Sequence, residues 1–216
     1  YLRFQMSTLV AYIALFIAAG VFAIAGGIPL NPLQILWLNM VVDIPIAIAL
    51  GFDVPSIGLM DRAPRPVGAP VLSRTDWVRL CVQGLVMTVG SLVAYQWAEP
   101  RFGPAIANTM LLTTLSIFHL AAGYLARDQR NTIFDRRLLP GATQLRRYGI
   151  ALLAIIAVTT IGFLQRIVGT VDLSLSQWSV CVGLAATLVV IEELIKLVIR
   201  RREPAQGAPR HAVAVS

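Results

Sequence analysis

The chain has 216 residues, of which 57% are apolar and 13% charged, and its formal net charge is +7. A typical soluble domain has about 25% charged residues, so this composition excludes an ordinary soluble globular domain and indicates an integral membrane protein. The positive charge does not require a nucleic-acid partner, because basic residues between membrane spans serve to orient those spans.

Six apolar segments follow one another along the chain, and each is near the roughly 20 residues that a helix needs to cross a bilayer. They are residues 4–25, 30–50, 77–97, 106–126, 148–168 and 178–199. Short connections join these segments in pairs, at residues 26–29, 98–104 and 169–177. The pattern predicts an all-α membrane protein whose six transmembrane helices form three antiparallel hairpins.

Arginines concentrate on one side of the predicted spans. Most of them lie in the connections 51–76 and 127–147 and after residue 199, whereas the opposite side has only Arg101 and Arg166. Because positively charged connections stay on the cytoplasmic side, both termini are predicted to be cytoplasmic. We expect a multi-pass protein of the plasma membrane.

The second apolar segment contains one carboxylate, Asp43. A charged side chain at the centre of a membrane helix costs about 2.5–3.5 kcal/mol on insertion scales, and such residues mark ion or substrate pathways. Asn39 lies one helical turn earlier, on the same face of a regular helix. Pro45 predicts a kink or an unwound turn with exposed carbonyl oxygens. Together these groups predict a cation site of oxygen ligands. Alternatively, Asp43 is protonated or hydrogen-bonded to a neighbouring helix as a structural contact.

The segment LWLNMVVDIPIAIALGFDVPSIGLMDRAPRP, at residues 36–66, resembles the sixth membrane helix and the following loop of P-type cation-transporting ATPases, in particular calcium pumps. Further segments agree in order: RFQMST at 3–8 with the entry to the fifth helix, NPLQILW at 31–37 with the lead-in to the sixth, RDQRNTIF at 127–134 with the exit from the eighth, and EELIK at 192–196 with the end of the tenth. The resemblance implies that residues 1–203 are the C-terminal transmembrane domain, helices five to ten. Residues 204–216 are then a disordered cytoplasmic tail, as their composition also indicates.

The resemblance also implies a set of positions for the ion ligands. In this chain the ligand positions of the calcium pumps correspond to Leu9, Tyr12, Asn39, Val42, Asp43 and His119. Asn39 and Asp43 match the family in residue type, and His119 replaces a Glu or Gln of the eighth helix. The candidate metal ligands are therefore Asn39, Asp43 and His119, and no catalytic residue is predicted.

The identity of the ion stays open at this stage. One carboxylate is a poor site for two calcium ions, because the charge of the oxygen ligands sets calcium affinity. A single calcium ion, a proton or, given His119, another metal are the alternatives. His119 is otherwise a hydrogen-bonded contact between helices. Tyr12 is expected to pack through its ring, with its hydroxyl bonded locally.

The resemblance implies that the chain is the membrane half of a cation pump and contributes part of the intramembrane cation site for ATP-driven transport. Its partners would be the lipid bilayer, the first four helices and the cytoplasmic head domains, which bind Mg and ATP in the full-length pump. No DKTGT phosphorylation segment occurs in the sequence, so this chain alone is not expected to hydrolyse ATP, and we expect it to be a segment of a larger protein. The alternatives are a stand-alone secondary transporter or channel, and a non-transporting membrane scaffold.

Three smaller expectations concern residues outside the candidate site. Cys81 and Cys181 are expected to be apolar fillers rather than a pair. Glu192 and Lys196 are expected to form an ion pair within one helix. Asp61 and Arg62 lie in the loop that, in the family, couples the phosphorylation domain to the helices.

Overall fold

The computed structural model describes residues 1–52, 68, 71–127 and 141–202, and all regular secondary structure within these ranges is helical. The predicted all-α fold class is therefore confirmed. Asp61 and Arg62, the segment 128–134 and the predicted tail at 204–216 lie outside the described residues.

The described helices occupy the predicted segments in order. Their bounds are α1 Leu2–Val21, α2 Pro32–Trp37, α3 Asp43–Gly51, α4 Arg74–Phe102, α5 Pro104–Leu125, α6 Ala142–Thr160, α7 Gly162–Val168 and α8 Leu175–Arg202. A single π-helical turn, Leu38–Val42, joins α2 to α3. Its hydrogen bonds reach five residues back instead of four, which is a local distortion that commonly occurs at functional sites.

Local capping sets where two of these helices begin. At α2, the Asn31 side chain accepts from the Gln34 backbone N–H, and the Gln34 side chain accepts from the Asn31 N–H. Ser73 and Asp76 form the same reciprocal arrangement at the start of α4. Such capping boxes satisfy backbone donors that the first turn of a helix leaves unpaired.

Four helical segments of the described chain are long and apolar enough to cross a membrane: α1, the continuous Pro32–Gly51 segment, α4 and α5. The helices α6 and α7 together form a fifth such segment if they are counted as one span, and they are bent by 86° at the break between them. The helix α8 covers the sixth predicted segment and is 28 residues long. Its C-terminal half carries charged residues at 192, 193 and 196.

Helix α5 lies at the centre of the bundle. It packs against α4 and α8 along its length and also contacts α1, α3 and α6. About two-thirds (67%) of its apolar stretch is buried, compared with 33% in α1, 33% in Pro32–Gly51 and 44% in α4. A polar residue on α5 therefore meets other helices rather than lipid, and such residues in membrane bundles hydrogen-bond across helices.

Glycines allow the helices around α5 to approach closely. A Cβ added at Gly84 of α4 would lie 2.5 Å from Cγ1 of Val10 in α1, and one added at Gly123 of α5 would lie 2.2 Å from Cγ2 of Ile46 in α3. Small residues at such contacts are typical of membrane helix packing. The contact at Gly123 fixes α3 against α5, one turn from Asp43.

Candidate functional site

Asp43 and His119 meet in the interior of the bundle. His119 Nδ1 lies 2.8 Å from Asp43 Oδ1. His119 has no exposed surface, and Asp43 is 5% exposed. The contact joins α3 to α5 across 76 residues of sequence. A hydrogen bond between a carboxylate and a ring nitrogen is stronger in such a buried setting than in water.

The π-helical turn places Asp43 at this contact. The backbone N–H of Asp43 donates to the carbonyl of Leu38, five residues earlier. Pro45 follows in the next turn and has no backbone N–H to donate to a preceding carbonyl. The predicted distortion beside Asp43 is thus confirmed, in the form of one wide turn and not of a sharp kink.

Both members of the pair have a second polar atom without a hydrogen-bond partner. Asp43 Oδ2 and His119 Nε2 are buried, and neither is hydrogen-bonded to any described residue. The hydroxyl of Tyr12, on the neighbouring helix α1, is buried without a partner as well. An unsatisfied buried polar group costs about 1–3 kcal/mol, and more when it is charged. Three such groups on side chains that contact one another point to a site that takes a ligand.

Two aromatic rings of α1 enclose the imidazole of His119. The Tyr12 ring centroid lies 5.4 Å from that of His119 at an interplanar angle of 80°, and the Phe4 centroid lies 6.4 Å away at 89°. Edge-to-face contacts of this kind fix the plane of the histidine ring. Tyr12 therefore packs through its ring as expected, but the expected local hydrogen bond of its hydroxyl is wrong, because that hydroxyl has no partner among the described residues.

Asn39 lies apart from the pair. Its side chain is exposed, and its amide donates to the carbonyl of Ile35 at 2.9 Å. Asp43 is buried at 5% exposure whereas Asn39 is exposed on the same span, so the two side chains have different surroundings. Two other positions of the predicted ligand set are apolar side chains: Leu9 is exposed and Val42 is fully buried.

A second polar cluster joins α4 to α8 and was not predicted from the sequence. The Arg79 guanidinium pairs with the Glu192 carboxylate, and Gln83 Nε2 donates to Glu192 Oε2 at 2.9 Å. Lys196 pairs with Glu193 at 3.2 Å. The predicted ion pair joined Glu192 to Lys196, because residue spacing indicates only contacts within one helix. One feature of the sequence indicates this contact between helices. Arg79 and Gln83 are four residues apart, which places two polar side chains on one face of α4.

The described part of the chain does not contain a complete metal site. Within it, no group of three or more His, Cys, Asp or Glu side chains gathers where it could hold a metal ion. Cys181 is buried and Cys81 is exposed, and both are free thiols. The chemistry of the site therefore centres on one carboxylate and one imidazole.

Comparison with known families and proteins gives a consistent result. The family model described as the C-terminus of cation-transporting ATPases matches residues 27–198. Calcium-transporting ATPase type 2C member 2 of Mus musculus is 31% identical over 215 residues, covering 97% of this chain and 22% of that protein. The plasma membrane-type calcium-transporting ATPase 7 of Oryza sativa subsp. japonica is 30% identical over 224 residues, covering 99% and 20%. The chain thus spans about a fifth of the length of the curated relatives it matches.

Proposed function

The chain belongs to the family of cation-transporting ATPase C-terminal domains, and from this premise we propose that it is the membrane half of an ATP-driven cation pump. In this proposal the chain contributes part of the intramembrane cation site. The single observation that carries it is the buried carboxylate of Asp43, whose Oδ2 has no hydrogen-bond partner among the described residues. A membrane-buried carboxylate of this kind is expensive and marks an ion pathway.

We propose Asp43, Asn39 and His119 as the contribution of this chain to the cation site. Asp43 supplies the charge. Asn39 is exposed on the same span, where its amide can face helices supplied by the rest of the protein. His119 belongs to the site through its contact with Asp43 at 2.8 Å. Carboxylate and amide oxygens are the ligands that hard cations prefer.

Calcium is the proposed cargo, because the relatives that match nearly the whole chain are described as calcium-transporting. A proton or another metal is the alternative outcome of the experiment below. The complete pump would also hold ATP and Mg in head domains outside this chain, together with the first four membrane helices. We propose a plasma-membrane location with both termini in the cytoplasm, which the arginine distribution supports.

The proposal is tested by cation uptake into vesicles that contain the full-length protein. We expect ATP-dependent uptake of one cation from a panel of Ca²⁺, Mn²⁺, Zn²⁺ and H⁺, with Ca²⁺ among those transported. Residues 1–216 alone, in matched vesicles, should give no uptake. Uptake by residues 1–216 alone, driven by an ion gradient without ATP, would instead establish a secondary transporter or channel. Absence of any ATP-dependent uptake by the full-length protein would favour a scaffold.

A further inference from the structure

We propose that His119 is a positioning residue for Asp43 and not a ligand of the cation. Its Nδ1–H donates to Oδ1 and holds the carboxylate so that Oδ2 is presented to the ion. This inference rests on the proposed function and deepens it, since it assigns the two atoms of the carboxylate to different partners. The sequence had placed His119 in the ligand set only by its position on the eighth helix of the family.

The hydrogen bond fixes which ring nitrogen is available. An ionised Asp43, the form that binds a cation, can only accept, so in that state Nδ1 carries the proton in the 2.8 Å contact with Asp43 Oδ1. A nitrogen that donates a proton has no lone pair for a metal. His119 could therefore ligate only through Nε2, at the far edge of the ring from Asp43.

The surroundings of the ring do not favour ligation through Nε2. The imidazole is fully buried and is contacted edge-to-face by the rings of Phe4 and Tyr12. A metal at Nε2 would need several further ligands, and no group of three His, Cys, Asp or Glu side chains exists in the described ranges. Asp43 Oδ2 and His119 Nε2 are both buried without a partner among the described residues, but only Oδ2 belongs to a charged group, so it is the stronger attraction for a cation.

The aromatic contacts give the histidine its orienting role. Phe4 and Tyr12 meet the ring at 89° and 80°, so the direction of Nδ1–H is determined by packing. A group that hydrogen-bonds to a metal-binding side chain holds that side chain in its binding orientation. Loss of such a group commonly lowers metal affinity 10–100-fold. His119 orients the Asp43 carboxylate in this way, through the hydrogen bond from Nδ1–H to Oδ1.

The experiment replaces His119 in the full-length protein by Ala, Asn and Gln. The side-chain amide of Asn lies near the position of Nδ1, and that of Gln lies near Nε2. The measured quantity is the Ca²⁺ concentration that gives half-maximal phosphorylation from ATP, repeated with Mn²⁺ and Zn²⁺. We expect His119→Ala to raise this concentration about 10-fold or more, His119→Asn to restore it to within about threefold, and His119→Gln to resemble Ala. The order of preference among the three cations should be the same in His119→Asn as in the unsubstituted protein.

Three results would overturn the positioning role. One is rescue by Gln but not by Asn, the second is a changed order of cation preference in His119→Asn, and the third is an unchanged Ca²⁺ requirement in His119→Ala. If the Ala variant does not accumulate in the membrane, the comparison of Asn with Gln decides alone. Asp43→Asn tests the proposed function separately: if that variant keeps its Ca²⁺ dependence, the cation site itself is wrong, whatever the histidine series shows.

Discussion

At the scale of single residues, the proposed site depends on the hydrogen bond between Asp43 and His119. Asp43 and His119 stood out because each is a rare polar residue within an apolar span. Their hydrogen bond joins two residues that are 76 positions apart in the sequence. The periodicity of a single helix cannot predict a contact over that separation. Asn39 is exposed, and its amide donates to the carbonyl of Ile35, a local contact that does not show in the sequence pattern.

The Arg79–Glu192 pair gives a prediction at this scale. Glu192 is 1% exposed, and removing one partner of a buried ion pair costs about 3–5 kcal/mol. Because Arg79 lies near one end of its helix, we expect Glu192→Gln to lower the free energy of unfolding by about 3 kcal/mol, the lower end of this range. The unfolding temperature of the full-length protein in detergent should fall accordingly.

The matched control is Glu99→Gln, at an exposed carboxylate of α4 that accepts from the Tyr95 hydroxyl at 3.0 Å. Exposed interactions of this kind contribute about 0–1 kcal/mol. Thermal unfolding followed by fluorescence compares the two variants. Equal shifts in both would show that the Arg79–Glu192 pair does not stabilise the contact between α4 and α8.

At the scale of elements, helix order and approximate bounds could be predicted from apolar length alone. The predicted segment 30–50 is observed as Pro32–Gly51 and the segment 106–126 as Pro104–Leu125. The 86° break between α6 and α7 could not be predicted, because the apolar run 148–168 contains no proline. The glycine contacts could not be predicted either, because the sequence does not distinguish a glycine at a helix contact from a glycine that faces lipid.

Gly84 supplies the prediction for helix packing. In Gly84→Ala the new Cβ would lie 2.8 Å from Cβ of Val10 and 3.0 Å from the backbone nitrogen of Ala11. Neither atom is the end of a flexible side chain, so α1 and α4 must separate. Overpacking costs about 1–3 kcal/mol, against a gain of about 1 kcal/mol in helix propensity. We expect a lower unfolding temperature.

Gly183→Ala is the control for this change. Gly183 lies within α8, and an added Cβ there meets no atom within 4 Å. That substitution should leave the unfolding temperature unchanged or raise it slightly, since it keeps only the gain in helix propensity. The packing interpretation fails if the two variants unfold at the same temperature.

At the scale of the whole molecule, the structure connects the bundle to the site through α5. This central helix carries His119, contacts α3 beside Asp43 through Gly123, and packs along α4 and α8. A displacement of α3 relative to α5 would therefore alter the Asp43–His119 contact directly. Family membership and the all-helical fold followed from sequence patterns spread along the chain, whereas the atoms of the site depend on how six distant segments pack together.

The central claim is that Asp43 is the charged ligand of the transported cation. It is tested most directly by Ca²⁺-dependent phosphorylation from ATP in the full-length protein, comparing Asp43→Asn with Asp172→Asn. Asp172 is exposed and bonded only locally, to Gln165, so it controls for loss of a carboxylate. We predict that Asp43→Asn loses Ca²⁺-dependent phosphorylation or requires at least about 100-fold more Ca²⁺, consistent with loss of a charged interaction of about 3 kcal/mol, and that Asp172→Asn is unchanged. Unaltered Ca²⁺ dependence in Asp43→Asn would contradict the claim.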